Sequence, residues 1–201
     1  MVNNIVALLL LVHILAQSNQ FDPYTLNGGL VSAVAGRDFV VLAADTRLVG
    51  DSGYDLLGRN HVRLWGVEND IEIPSIYETE ATEPRKEHST LSIHHAAFVA
   101  SAGCASDCEE LKRTVRYKLR AATDVRNRHA VGSVARLLSQ VLYSRRVFPF
   151  YSFCVVAGVE KDGGGAVFTY DAIGSHKRVR AACNGQGKEL MQPILDRSFG
   201  T

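Results

Sequence analysis

The chain has 201 residues, 46% hydrophobic and 21% charged, with a formal net charge of +1. That length and apolar share fit one globular domain with a sizeable core. The near-balanced charge gives no reason to expect a nucleic acid or an acidic membrane surface as partner. The four cysteines are Cys104, Cys108, Cys154 and Cys183. Cys154 lies in an apolar run and reads as a small core residue. Cys104 and Cys108 are four apart, no second pair completes a zinc spacing, and all four read as reduced thiols.

Ile5–Ala16 is an apolar run broken only by His13. It is too short to span a bilayer comfortably. It has the look of a secretory h-region, yet no Lys or Arg precedes it and no small-x-small cleavage site follows. Signal peptide, pro-segment and misplaced start of the coding sequence stay open as readings. Residues 17–27 are polar, carry Pro23 and read as an extended connector. Leu30–Ala35 and Phe39–Ala44 then form two strand-length apolar runs around Gly36-Arg37-Asp38, which has hairpin-turn chemistry. Both runs are apolar almost throughout, the pattern of strands buried on both faces. Asp45-Thr46-Arg47 places a carboxylate and a guanidinium at the end of the second strand. Such a pair fits the floor of an active site, or a structural ion pair, which is the commoner case.

Asn27-Gly28-Gly29 followed by Leu30–Arg47 resembles the start of a proteasome beta-type subunit. In catalytic members of that family a threonine freed at the N-terminus is the nucleophile, and its own amine is the base. An Asp follows it by sixteen residues and a Lys by sixteen more. Here Asp45 matches the Asp, Gly29 stands at the nucleophile position and His61 at the Lys position. A glycine has no oxygen to attack with. The resemblance therefore implies the fold and the assembly while arguing against the chemistry.

Beyond Arg47, Gly50, Gly53 and Gly58 mark a loop, and Val62–Trp65 reads as a short strand. Gly66–Ser92 is rich in Glu, Thr and Ser, carries Pro74 and Pro84 and lacks periodicity. It reads as a surface loop inserted where the family has a short turn. His88, His94 and His95 lack matching carboxylate or cysteine spacing and read as loop histidines, not metal ligands. The expected organisation is an extension over 1–28 and a beta-type domain over 29–201 with its insertion at about 66–92.

Regular structure is expected again at Ala96–Ser101, a buried strand. Ser106 and Glu109 have the spacing of a capping box. Leu111, Val115, Leu119 and Ala122 make one helical stripe. Lys112, Arg113, Arg116, Lys118 and Arg120 occupy the other face, a solvated or subunit-contacting surface lacking the interleaved aromatics of a nucleic-acid binder. A second helix is expected over Val131–Ser144, stopped before Pro149. The run Leu137–Phe153, LLSQVLYSRRVFPFYSF, resembles most specifically the non-catalytic branch of the family at the sixth place of the beta ring.

Two strands, Ser152–Val159 and Ala166–Asp171, flank a turn at Asp162–Gly165, and a further strand covers about His176–Ala182. Asp171–Ser175 resembles the family's Asp-Pro-x-Gly-Ser turn. In the Gly-rich bend Asn184–Gly187, Gln186 stands where catalytic members place an assisting serine. The bend does not have P-loop spacing. Pro193 keeps the following helix short or kinked.

The resemblance implies an α+β, four-layer α-β-β-α sandwich, the N-terminal nucleophile hydrolase fold, C-terminally incomplete because the family continues past the equivalent of Thr201. It leaves apolar sheet surface for a partner to cover. It implies no catalytic residue, cofactor or metal. Its partners would be the other beta and alpha subunits of a 28-subunit hetero-oligomer in cytoplasm and nucleus, with no nucleic acid and no membrane. The rival readings are an active threonine peptidase that uses Thr25, and a secreted binding protein on the same fold.

Overall fold

The computed structural model describes residues 24–67, 97–122 and 130–200. The apolar start, His88, His94, His95 and nearly all of the expected insertion lie outside them. Gly66 and Val67 do not belong to a loop: Gly66 closes a strand and Val67 is buried.

Ten strands and three helices are described, in the order β1 (Leu30–Ala35), β2 (Val40–Ala44), β3 (Leu48–Val49), β4 (Leu56–Gly58), β5 (Leu64–Gly66), β6 (Ala97–Gly103), α1 (Ala105–Ala122), α2 (Val131–Ser144), β7 (Ser152–Val159), β8 (Gly165–Tyr170), β9 (His176–Val179), β10 (Ala181–Gly185) and α3 (Lys188–Phe199). One antiparallel sheet has the order β5-β6-β7-β8-β9, and a second has the order β10-β1-β2. A small ribbon, β3-β4, occupies the stretch expected to be loop. The expected strand at 176–182 is in fact two. The chain leaves one sheet after Val179 and enters the other at Ala181, with the Arg180 carbonyl accepting the Ala35 amide at 2.7 Å.

Apolar spacing explains the layers. Leu111, Val115 and Leu119 of α1 and Val134, Leu138 and Leu142 of α2 are buried against Val99, Cys154 and Val156 of the five-stranded sheet. The alternate residues of those strands, Ala100, Val155 and Ala157, face the second sheet and meet Val31, Ala33 and Ala182. Fully burying a side chain such as Leu138 contributes about 1.5–3 kcal/mol. On the far face of β10, Cys183 contacts α3: its amide donates to Gln192 Oε1 at 3.0 Å. Helices, sheet, sheet and helix therefore form the expected four layers.

The outer layer is thin. No residue of α3 is buried, and Leu190 and Ile194 are exposed. Strand β2 is accordingly not buried on both faces: Val41 is 54% exposed and Ala43 is exposed, while the alternate residues Val40, Leu42 and Ala44 are partly buried. Pro193 lies inside α3, which still runs for 12 residues.

Two local expectations also change. The helix α1 begins at Ala105, which puts Ser106 inside its first turn, so no capping box forms. The Ser106 hydroxyl lies against Cys104 Sγ at 3.2 Å, and Glu109 pairs with Lys112 at 3.4 Å. The helix start is satisfied from elsewhere in the chain. The Ala105 amide donates to Asn27 Oδ1 at 2.8 Å, and Asp107 accepts the Tyr151 amide at 2.8 Å.

Candidate functional site

The candidate residues named from the resemblance gather where β1, β2 and β10 meet the start of α1. Gly29 immediately precedes β1, buried, with φ +95°. That conformation suits glycine and strains any residue with a Cβ. A Cβ added there would collide with the Arg63 guanidinium, with Nη2 at 2.7 Å. The Gly29 carbonyl accepts the Gln186 amide at 3.0 Å, which brings the Gly-rich bend against this position. Gly185 is needed for the same approach, because its Cβ would overlap the Gly29 carbonyl.

Arg63 organises the site, and sequence reasoning passed over it. It is 3% exposed. Its Nε donates to the Asp45 carbonyl at 3.0 Å, and its Nη2 donates to the carbonyls of Arg47 at 2.6 Å and Asn27 at 3.3 Å. Its Nη1 is buried without a hydrogen-bond partner. Burial lowers its pKa, while the Asp45 carboxylate pulls in the opposite direction. A guanidinium keeps its proton under such a shift, so a positive charge sits where a side chain at Gly29 would lie. The signal was present in the sequence: one cation amid Val62, Leu64 and Trp65, in a stretch read as strand.

Asp45 and Arg47 form a backbone contact. The Arg47 amide donates to Asp45 Oδ1 at 2.8 Å, and the cation that senses the carboxylate is Arg63. Of the two readings open for this pair, an ion pair between Asp45 and Arg47 is not what the structure has. His61 is held by its amide, which donates to the Thr46 carbonyl at 2.9 Å. Its imidazole pKa is lowered, first by burial and then by Arg63. Gln186 is solvent-exposed. Thr25 is exposed too, four residues before Gly29.

Asn27 is the second residue missed. It is 8% exposed and uses all of its polar groups. Its Nδ2 donates to the Val49 carbonyl at 3.0 Å, its Oδ1 caps α1, and its own amide donates to the Gly103 carbonyl at 3.1 Å. Beside the site a cavity of about 400 Å³ is lined by Gly28, Tyr151, Tyr170, Asn184, Gln186 and Lys188. Asn184 Nδ2 donates to the Cys154 carbonyl at 2.7 Å, and Lys188 Nζ donates to Asn184 Oδ1 at 3.3 Å.

This arrangement holds a charge and orders backbone, but it offers no hydroxyl, thiol or amine at the Gly29 position. Among the described residues no group of three or more His, Cys, Asp or Glu is placed to hold a metal ion. Burial pushes the Cys154 thiol up to about 12 and also raises Cys108, which leaves both as weak nucleophiles.

Comparison with known proteins agrees with this architecture. The family described as Proteasome subunit matches residues 78–200. Proteasome subunit beta type-1 of Danio rerio is 31% identical over 183 residues, covering 90% of this chain and 65% of the relative. The Arabidopsis thaliana protein of the same name is 32% identical over 184 residues, covering 91% of this chain and 70% of the relative. Proteasome subunit beta type-6 of Saccharomyces cerevisiae is 28% identical over 180 residues, covering 89% and 63%. The chain thus spans less than two thirds of the Danio rerio and yeast relatives.

Proposed function

Since the chain belongs to the proteasome subunit family, we propose that it is a non-catalytic, architectural subunit of the beta ring of the 20S core particle. The observation that carries this reading is the Gly29–Arg63 arrangement. The position matched to the nucleophile has no side chain, and a buried guanidinium fills the space a side chain would need. The matched Lys and Ser positions hold His61 and Gln186. None of these groups supplies the hydroxyl and free amine that threonine catalysis requires.

The work of such a subunit is geometric. Two stacked sheets give a rigid slab. The exposed Tyr143 in the last turn of α2, Val147 and Phe148 after it, and the open face at Val41 offer apolar surface to neighbouring beta and alpha subunits. The proposed assembly is the 28-subunit hetero-oligomer of cytoplasm and nucleus, in which other subunits cleave peptide bonds. The extension over 1–28 and the insertion at about 66–92 are proposed as additions to the beta-type domain over 29–201.

The test is mass spectrometry of purified core particles treated with a threonine-directed covalent probe. Peptides of this chain should be recovered from the particle without adduct, while catalytic subunits are labelled. An adduct on Thr25, with Thr25 as a new N-terminus, would establish the peptidase reading instead. Recovery only from the culture medium would establish the secreted one.

A further inference from the structure

At the edge of the sandwich, away from Gly29, lies a groove of about 710 Å³. Its floor includes Ala35 and Val179, and its rim carries Arg37, Lys177, Arg178 and Arg180. All four cations are exposed. Arg178 pairs with Glu160 at 3.6 Å. The side chains of Arg37, Lys177 and Arg180 make no ion pair among the described residues, and Asp38 is the one acid on the β1–β2 turn. A chain of net charge +1 therefore concentrates several cations around one opening.

We propose that this groove docks an acidic peptide segment of another protein. Three observations support that occupant. The uncompensated charge is positive, so an anionic partner relieves repulsion among the rim cations. Among the described residues β9 is an edge strand of its sheet, so an extended segment laid along it meets unpaired main-chain groups as well as cations. The lining carries no aromatic side chain, and the one exposed ring at its border, Phe39 beside Gly36, falls short of the successive platforms on which single-stranded nucleic acid stacks. Charges on an edge strand also guard against unwanted pairing. That accounts for Lys177 and Arg178, but Arg37 and Arg180 lie outside β9 and are left unexplained by it.

The proposal stands apart from the ring-subunit reading, because the groove shares no residue with the Gly29 site. It is tested by fluorescence polarisation of the full chain with labelled decaglutamate, decalysine and a ten-nucleotide oligouridine. Decaglutamate should bind, and its affinity should fall on the order of tenfold when salt is raised through the range where the Debye length drops below about 8 Å. The double variant Lys177→Glu/Arg180→Glu should lose on the order of tenfold or more in affinity, since each rim charge contributes to complementarity. The single variant Arg37→Gln should lose less. The charge-matched variant Arg113→Glu/Lys118→Glu on α1 should bind as the parent does. Absence of decaglutamate binding, an equal loss in the α1 variant, or tighter binding of oligouridine would overturn the proposal. Incorporation into core particles is read separately, so failure here leaves that reading untouched.

Discussion

Two buried regions of this molecule are held by different physics. Between the helices and the five-stranded sheet, Leu111, Val115, Leu138 and Leu142 pack against Val99 and Val156 with no polar partner to satisfy. Where β1 meets α1, Asn27 and Arg63 are almost as deeply buried, yet they are held by named donors and acceptors. The first region is additive and forgiving of shape-preserving change, because dispersion and burial are shared among many contacts. The second is close to all-or-none. Removing one member leaves buried carbonyls or a buried charge without its counterpart. Within one small domain, the apolar layer supplies stability and the polar knot fixes where the strand ends meet.

The largest expected effect tests the apolar side. Leu138→Ala should destabilise the chain by about 2–5 kcal/mol, while Leu138→Met should cost less than about 1.5 kcal/mol. Both are read from urea unfolding followed by circular dichroism. If Met costs as much as Ala, the apolar layer is as exacting as the polar one and the contrast fails.

That contrast also explains what the sequence disclosed. The α2 boundaries, the β1 and β7 spans and the two-layer burial of β6 and β7 follow from the spacing of apolar residues. A helix stripe or strand alternation is local information and can be read within ten residues. The polar knot is not local. Arg63 bonds the Asn27 carbonyl across 36 residues, and Asn27 caps Ala105 across 78. No spacing rule announces such partners. The same limit produced the capping box at Ser106. The motif was present, but the helix starts two residues earlier and takes its cap from Asn27. The switch of sheets at Arg180 was hidden for a related reason: strand pairing is decided by the surfaces already built, and the run 176–182 reads as continuous. The spacing of the family resemblance is what singles out Gly29, Asp45, His61 and Gln186 as candidate positions. It does not single out Arg63, the residue that occupies the space beside Gly29.

A smaller effect tests the polar side through coupling. Gly29→Thr places a Cβ against the Arg63 guanidinium at φ +95°. The backbone alone should cost about 1–2 kcal/mol. Arg63→Ala opens the space but strips donors from the carbonyls of Asp45 and Arg47, at about 1–3 kcal/mol for each buried group left unsatisfied, while the Asn27 carbonyl keeps the Val49 amide. The double variant should be less destabilised than the sum of the singles, by about 0.5–3 kcal/mol. Additive costs would mean that Arg63 does not fill the space beside Gly29.

The smallest effect is a pH dependence at the rim of the polar knot. His61 has a lowered pKa, first from burial and then from Arg63; Lys112 also lowers it, while Glu109 opposes them. A histidine held below its unfolded value favours the neutral folded state. The unfolded chain takes up the proton first as pH falls through 6.5. Its contribution to stability is therefore complete above that pH and declines progressively below it, until the folded state is protonated as well. His61→Gln should flatten this segment of the stability curve between pH 7 and 5 while leaving the Leu138→Ala difference unchanged at both ends. The imidazole is only half-buried, so solvent screens part of the interaction and keeps the slope shallow. A slope that survives His61→Gln would move the titrating group elsewhere. A slope that also changes the cost of Leu138→Ala would show that the two regions unfold as one electrostatic unit, against the separation drawn between them.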